Sequence, residues 1–185
     1  MDTRHALALV AASLALVQAS PRGHAGEPPR AAPMTAAECE VWERELSFSK
    51  TVANHDEKAF AEHVHEGAVF NAGTRAPIRG RDAVVKDWRP IIEGKAYALH
   101  WHPGNVAIGG DPDIALSSGP VWTEDFDPKA EHRWTISRYT STWKRDKDGR
   151  WRVLFDGSAA PPRPATPEEV AKLAAAQPAT CPRGS

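Results

Sequence analysis

Asp156 is the carboxylate best placed to do chemistry. It closes a strand rich in aromatic and β-branched residues, and burial there would raise its pKa toward the range of a general base. The competing role is structural. If the hairpin Arg133 to Ser158 closes on Lys144 and Arg150, Arg138 stands directly across the ladder and keeps Asp156 ionised and poorly basic. Ion pairs of this kind commonly perturb carboxylates without catalysis, so the ladder position favours the structural role. Two His-x-His pairs also occur, His63/His65 and His100/His102. On a strand, His100 and His102 would share a face, but two ligands fall short of the three or four that a stable metal site needs. His63 and His65 fall at a helix end, where residues two apart diverge. No metal or other cofactor is therefore expected. There is no glycine-rich phosphate loop and no serine in a nucleophile elbow.

The hairpin that carries Asp156 is the most strongly patterned stretch of the chain. Its arms, Trp134 to Trp143 and Trp151 to Asp156, are joined by Arg145-Asp146-Lys147-Asp148-Gly149, a polar loop whose glycine tolerates a positive φ. The register implied by that closure pairs Trp143 with Trp151, Ser141 with Val153 and Tyr139 with Phe155 on one face. The other face pairs Thr142 with Arg152, Thr140 with Leu154 and Arg138 with Asp156.

The elements that must position this hairpin precede it. Thr35 and Glu38 form a capping box for a helix running to about Ala53, with Val41, Leu46, Phe48 and Val52 as its stripe and Trp42 and Glu45 beside them. Asp56 caps a short helix, Glu57 to Val64, and Glu66 to Asn71 is a strand. A third helix starts at Gly80-Arg81-Asp82 and reaches about Glu93, with a break expected near Arg89 because Pro90 follows. Strands Ala96 to Ile108, bent at Pro103-Gly104, and Ile114 to Phe126, irregular at Gly119-Pro120, lead into the hairpin. Helices followed by a run of strands make an α+β pattern rather than alternating βαβ units.

The ends differ in character. Arg4 followed by the apolar run Ala6 to Val17 reads as a secretory signal within residues 1–25, with cleavage after Ala19 or after Ala25. Residues 26–34 form a Pro/Gly/Ala-rich linker, residues 35–158 the domain, and residues 159–185 a Pro/Ala-rich tail with one candidate helix, Pro167 to Ala176. A secreted or periplasmic location follows, with no membrane association once the signal is removed. In an oxidising compartment the two cysteines, Cys39 and Cys181, are expected to form a disulfide tying the tail to the first helix. The formal net charge is −1 with both signs interspersed, so no nucleic-acid partner is expected.

The run Tyr139-x-x-x-Trp143, Asp148-Gly149-Arg150-Trp151 and Asp156-Gly157 resembles the last hairpin of the DUF4440/SnoaL-like families of the NTF2-like superfamily. The match extends back through Leu99-x-Trp101-x-Pro103, Ser118-Gly119 and Ile78-Arg79-Gly80-Arg81. The resemblance implies a cone: three N-terminal helices packed on a strongly bent, mainly antiparallel sheet. It also implies a pocket inside that cone for a small apolar or aromatic molecule, and a homodimer formed through the other sheet face. The seven tryptophans suit such a pocket. Candidate lining residues are Phe70, Trp88, Trp101, Trp122, Trp134, Arg138, Tyr139 and Asp156, although Trp134 and Tyr139 point to opposite faces of one strand. Two functions of different class follow, a non-catalytic binding domain as the leading reading and an enzyme as the alternative. An Arg-locked Asp156 in an apolar cavity marks a binding domain. An unpaired, buried Asp or His at the pocket floor marks a cofactor-free isomerase, cyclase or hydrolase-type enzyme.

Overall fold

The computed structural model describes residues 33–182, so the expected signal segment and nearly all of the linker lie outside the described residues. Helix α1, Ala36–Ala53, opens on the capping box: Glu38 N–H donates to Thr35 Oγ1 at 3.2 Å, and Thr35 N–H donates to the Glu38 carboxylate at 2.8 Å. Satisfying two orphan donors fixes where the helix begins. Its inner stripe buries Val41, Trp42, Leu46, Phe48 and Val52 together with the carboxyl of Glu45. Helix α2, Glu57–His63, follows under an Asp56 cap. Helix α3, Arg81–Glu93, runs unbroken through Pro90. The expected break at Arg89 does not occur because Pro90 lies in the last turn, where the missing N–H costs one bond and the side chain faces outward.

Strands β1 (Val64–Phe70), β2 (Ile78–Arg79), β3 (Tyr97–Trp101), β4 (Asn105–Ile108), β5 (Ile114–Asp125), β6 (Trp134–Arg145), β7 (Trp151–Ser158) and β8 (Arg163–Pro164) form one strongly curled sheet. The order is β2-β1-β7-β6-β5-β3, with β4 continuing beside β5 and β8 beside β6. Every pairing is antiparallel except β1 with β7. Pro103-Gly104 separates β3 from β4, and here the chain passes so close to Gly119 that a Cβ there would collide with the His102 carbonyl. Phe48 is the hub of the interior, with ring centroids 4.9 Å from Phe60, 5.4 Å from Trp101 and 6.0 Å from Trp143.

The tail is part of the domain. β8 pairs with β6, helix α4 (Pro167–Ala175) packs Val170 against the body, and Leu173 O accepts from His102 at 3.2 Å. Cys181 reaches α1, where it is disulfide-bonded to Cys39 and its N–H donates to Glu43 at 2.7 Å.

The central hairpin departs from the expected register. Asp146 to Gly149 makes the turn, and the ladder closes on Arg145 with Trp151. Trp143 pairs with Val153, then Leu154 bulges out and Thr142 pairs with Phe155. Beyond the bulge, Asp156 sits opposite Ser141, not Arg138. One extra residue reverses which side the later residues face. Trp151 and Val153 point inward before the bulge, and Asp156 points inward after it, while Phe155 is exposed. Arg138 is exposed, on the alternate side of β6 from Tyr139, so the expected cross-strand ion pair is absent. Arg138→Ala is accordingly expected to change stability by less than about 0.5 kcal/mol in urea unfolding, as for other surface positions. A loss above about 2 kcal/mol would contradict this placement.

Candidate functional site

The curl of the sheet against α1 and α3 leaves a cavity of about 300 Å³. Its walls are apolar: Phe48 from α1, Trp88 from α3, Leu99 and Trp101 from β3, Val121 from β5 and Tyr139 from β6. Asp156 is the single carboxylate among the lining residues, with Asn71, Thr123, Thr135, Ser137, Arg138 and Ser158 as further polar groups. An apolar cavity with a few convergent polar groups is the usual form of a small-molecule site, and this volume lies at the lower end of their range.

The Asp156 carboxyl is held by one hydroxyl. Ser141 Oγ donates to Asp156 Oδ2 at 2.5 Å from directly across the ladder. Burial pushes the Asp156 carboxyl up to about 6, with the Ser141 bond opposing. The residue keeps part of its surface because it borders the cavity, although the carboxyl is set deep among protein atoms. No salt bridge joins it to a Lys or Arg among the described residues. The Tyr139 hydroxyl shares a hydrogen bond with Ser117 Oγ at 3.1 Å, and burial drives its pKa far upward, so it stays a neutral phenol.

Behind this wall stands Glu45. It is fully buried, and the indole N–H groups of Trp101 and Trp143 each donate to it at 2.8 Å. Burial raises its carboxyl to about 7, aided by the nearby Asp156 and opposed by the indole bonds and a hydroxyl bond from Ser117. Trp101, a wall of the cavity, is thus anchored by a carboxyl on α1. Sequence reasoning placed Glu45 beside the apolar stripe and gave it no role. Its spacing of four from Val41 and three from Trp42 puts it in the middle of that stripe, which is the signal that marks it.

The other expected lining residues divide. Trp88, Trp101, Trp122, Arg138, Tyr139 and Asp156 border the cavity, Trp122 while stacking on His100 at 5.5 Å. Phe70 is fully buried behind Trp88, with ring centroids 5.6 Å apart. Trp134 lies outside the cavity lining, its ring under the Arg133 guanidinium at 5.8 Å. His102 bonds Pro103 O and Leu173 O, and no group of three or more His, Cys, Asp or Glu among the described residues is placed to hold a metal ion.

Residues 46–154, more than half of the chain, match the SnoaL-like domain. No curated protein matches. Solved structures with the same fold include an NTF2-like protein from Pseudomonas putida KT2440. It is 19% identical, with 70% of this chain and 90% of that chain covered and a TM-score of 0.56. A ketosteroid isomerase-like protein from Erwinia carotovora atroseptica is 11% identical over 69% of this chain and 100% of that chain, TM-score 0.53. A conserved protein from Planctomyces limnophilus is 13% identical over 69% and 98%, TM-score 0.57. At these identities the structures show the fold alone. The family match and the curled sheet agree: the chain belongs to the SnoaL-like family of NTF2-like cones, a fold that binds small molecules and often catalyses.

Proposed function

We propose that the cone binds a small apolar or aromatic molecule and that Asp156 exchanges a proton with it, as the general base of a cofactor-free isomerase, cyclase or hydrolase-type enzyme. One observation carries this reading. Asp156 is not locked by Arg138 but stands in an apolar-walled cavity with one hydroxyl partner, its carboxyl raised to about 6. A base poised near the working pH is the most effective one. Its second oxygen, Oδ1, has no hydrogen bond among the described residues and is the atom that a ligand proton would meet.

Deuterium exchange into a panel of small aromatic and cyclic ketones, followed by NMR in heavy water, tests the proposal on the full chain. The wild type is expected to accelerate exchange into at least one compound. Asp156→Asn is expected to lose about 10²–10⁴ of that rate while still binding the compound, the usual worth of general acid–base catalysis. Compounds that bind but exchange no faster than in Asp156→Asn would make this a binding domain.

Export and self-association belong to the same reading. Export is supported by Arg4 with the Ala6 to Val17 run and by the disulfide. A homodimer is supported by the outer sheet face, where Leu116 and Phe155 stand on either side of Thr142, at 45% and 41% exposure. A single monomeric species in sedimentation would exclude it.

A further inference from the structure

Two carboxyl groups lie inside this cone, and among the described residues neither makes a salt bridge. Glu45 reaches in from α1 and Asp156 from β7, and their hydroxyl partners stand on neighbouring strands. Ser117 on β5 bonds the Tyr139 hydroxyl and also donates to Glu45, while Ser141 on β6 donates to Asp156. Ser117 and Ser141 are directly opposed in the β5–β6 ladder, and both are fully buried. Residues directly opposed on one face have Cβ atoms about 4.5–5.5 Å apart, so the two serines bring the carboxyls into one electrostatic neighbourhood.

The other groups there do not neutralise a second charge. Trp101 from β3 and Trp143 from β6 donate hydrogen bonds to Glu45 but carry no charge. Tyr139, on the inner face of β6, is a neutral phenol. Arg138 borders the cavity but is exposed, on the alternate side of that strand from Tyr139, and makes no salt bridge with either carboxyl, and His63 of α2 is committed to Ala59 O and Ser47 Oγ at 2.7 Å each. One carboxylate with three donors is tolerable in such an interior. Two without a cation repel strongly at low permittivity.

We propose that Glu45 and Asp156 act as one two-carboxyl site that holds a single proton near neutral pH, Glu45 being the positioning residue that sets how readily Asp156 takes up a proton in the cavity. The inference deepens the reading of Asp156 as the cavity's base and rests on it for its consequence. Asp156 raises Glu45, and by reciprocity Glu45 acts on Asp156 to the same extent. The midpoints of two carboxyls coupled in this way belong to the pair. An ionised Glu45 makes Asp156 a stronger base, while a protonated Glu45 leaves it weaker. A group that no ligand touches would thereby tune the one that the ligand meets.

Carbon-13 NMR titration of the Asp and Glu side-chain carboxyls in the full chain measures this without a substrate. Glu45→Gln is expected to lower the Asp156 midpoint by about one pH unit, the coupling beyond which two sites cease to titrate independently. Asp156→Asn is expected to lower the Glu45 midpoint by the same amount. If Glu45 merely holds the two indoles, its replacement will move the Trp101 and Trp143 N–H resonances and leave the Asp156 midpoint in place, which overturns the proposal. Should Glu45→Gln not fold, the Asp156→Asn arm decides alone, an unmoved Glu45 midpoint refuting the coupling. Neither outcome alters the deuterium-exchange result for Asp156→Asn, so failure of the pair and failure of the base are read separately.

Discussion

Replacing Cys39 and Cys181 by alanine is expected to lower the stability of the domain by about 5 kcal/mol, measured by urea unfolding of the oxidised parent against the double variant. The bridge spans 142 residues of sequence, and in the chain-entropy model the loss of closure on that scale approaches the upper end of what one disulfide contributes. The two sulfurs join α1, which carries Glu45 and Phe48, to a tail held otherwise by little. β8 contributes two paired residues, α4 buries Val170, and single hydrogen bonds run from His102 to Leu173 and from Cys181 to Glu43. Opening the bridge should therefore loosen Ala159 onward first, including Pro162, which borders the cavity. A change below about 1 kcal/mol would mean that the unfolded chain gains little freedom when the bridge is lost. Non-reducing peptide mapping of exported protein provides the companion test. Two freely alkylatable thiols would remove both the bridge and its support for export.

The outline of this fold is written in features that act locally. The Thr35/Glu38 box sets the start of α1, and helical spacing of Val41, Leu46, Phe48 and Val52 sets its buried side. Dense Trp, Tyr and Thr identify the β6–β7 hairpin, and an even cysteine count in a chain read as exported points to a bridge. The details that decide the site's chemistry depend on contacts distant in sequence. The Leu154 bulge leaves no mark in composition, yet it turns Asp156 from a partner of Arg138 into an inward carboxyl opposite Ser141. Glu45 likewise resembles a flanking charge until Trp101 and Trp143, 56 and 98 residues away, meet it. Pro90 is a helix breaker by rule, and only its place in the final turn makes it harmless.

Glu45 also predicts an unusual dependence of stability on pH. Its carboxyl titrates at about 7 in the fold against an ordinary 4.5. In the window between those values the unfolded chain has released the proton and the folded one has kept it, so the folded state binds more protons and stability falls as pH rises. The contribution is fully present below about 4.5, declines by about 1.4 kcal/mol per pH unit, and is spent by about 7, a loss of roughly 3 kcal/mol. Asp156 acts with the same sign from 3.8 to about 6, to a smaller extent because it borders the cavity. The carboxyls with lowered pKa, such as Glu38 and Asp148, act oppositely only at acid pH, but His63, which burial lowers from 6.5 to about 4, and His100, lowered by burial too, add stability as pH rises through the same window and offset part of the decline. Urea unfolding at half-unit steps should therefore show a carboxyl-driven decline in stability from pH 5 to pH 7 superimposed on the histidines' rise. Glu45→Gln, which cannot ionise, should flatten most of that decline while leaving the protein weaker at pH 5, where one indole has lost a carboxyl acceptor. A profile between pH 5 and 7 that Glu45→Gln leaves unchanged would mean that Glu45 is already ionised in the fold at pH 5, despite having no cation to balance it.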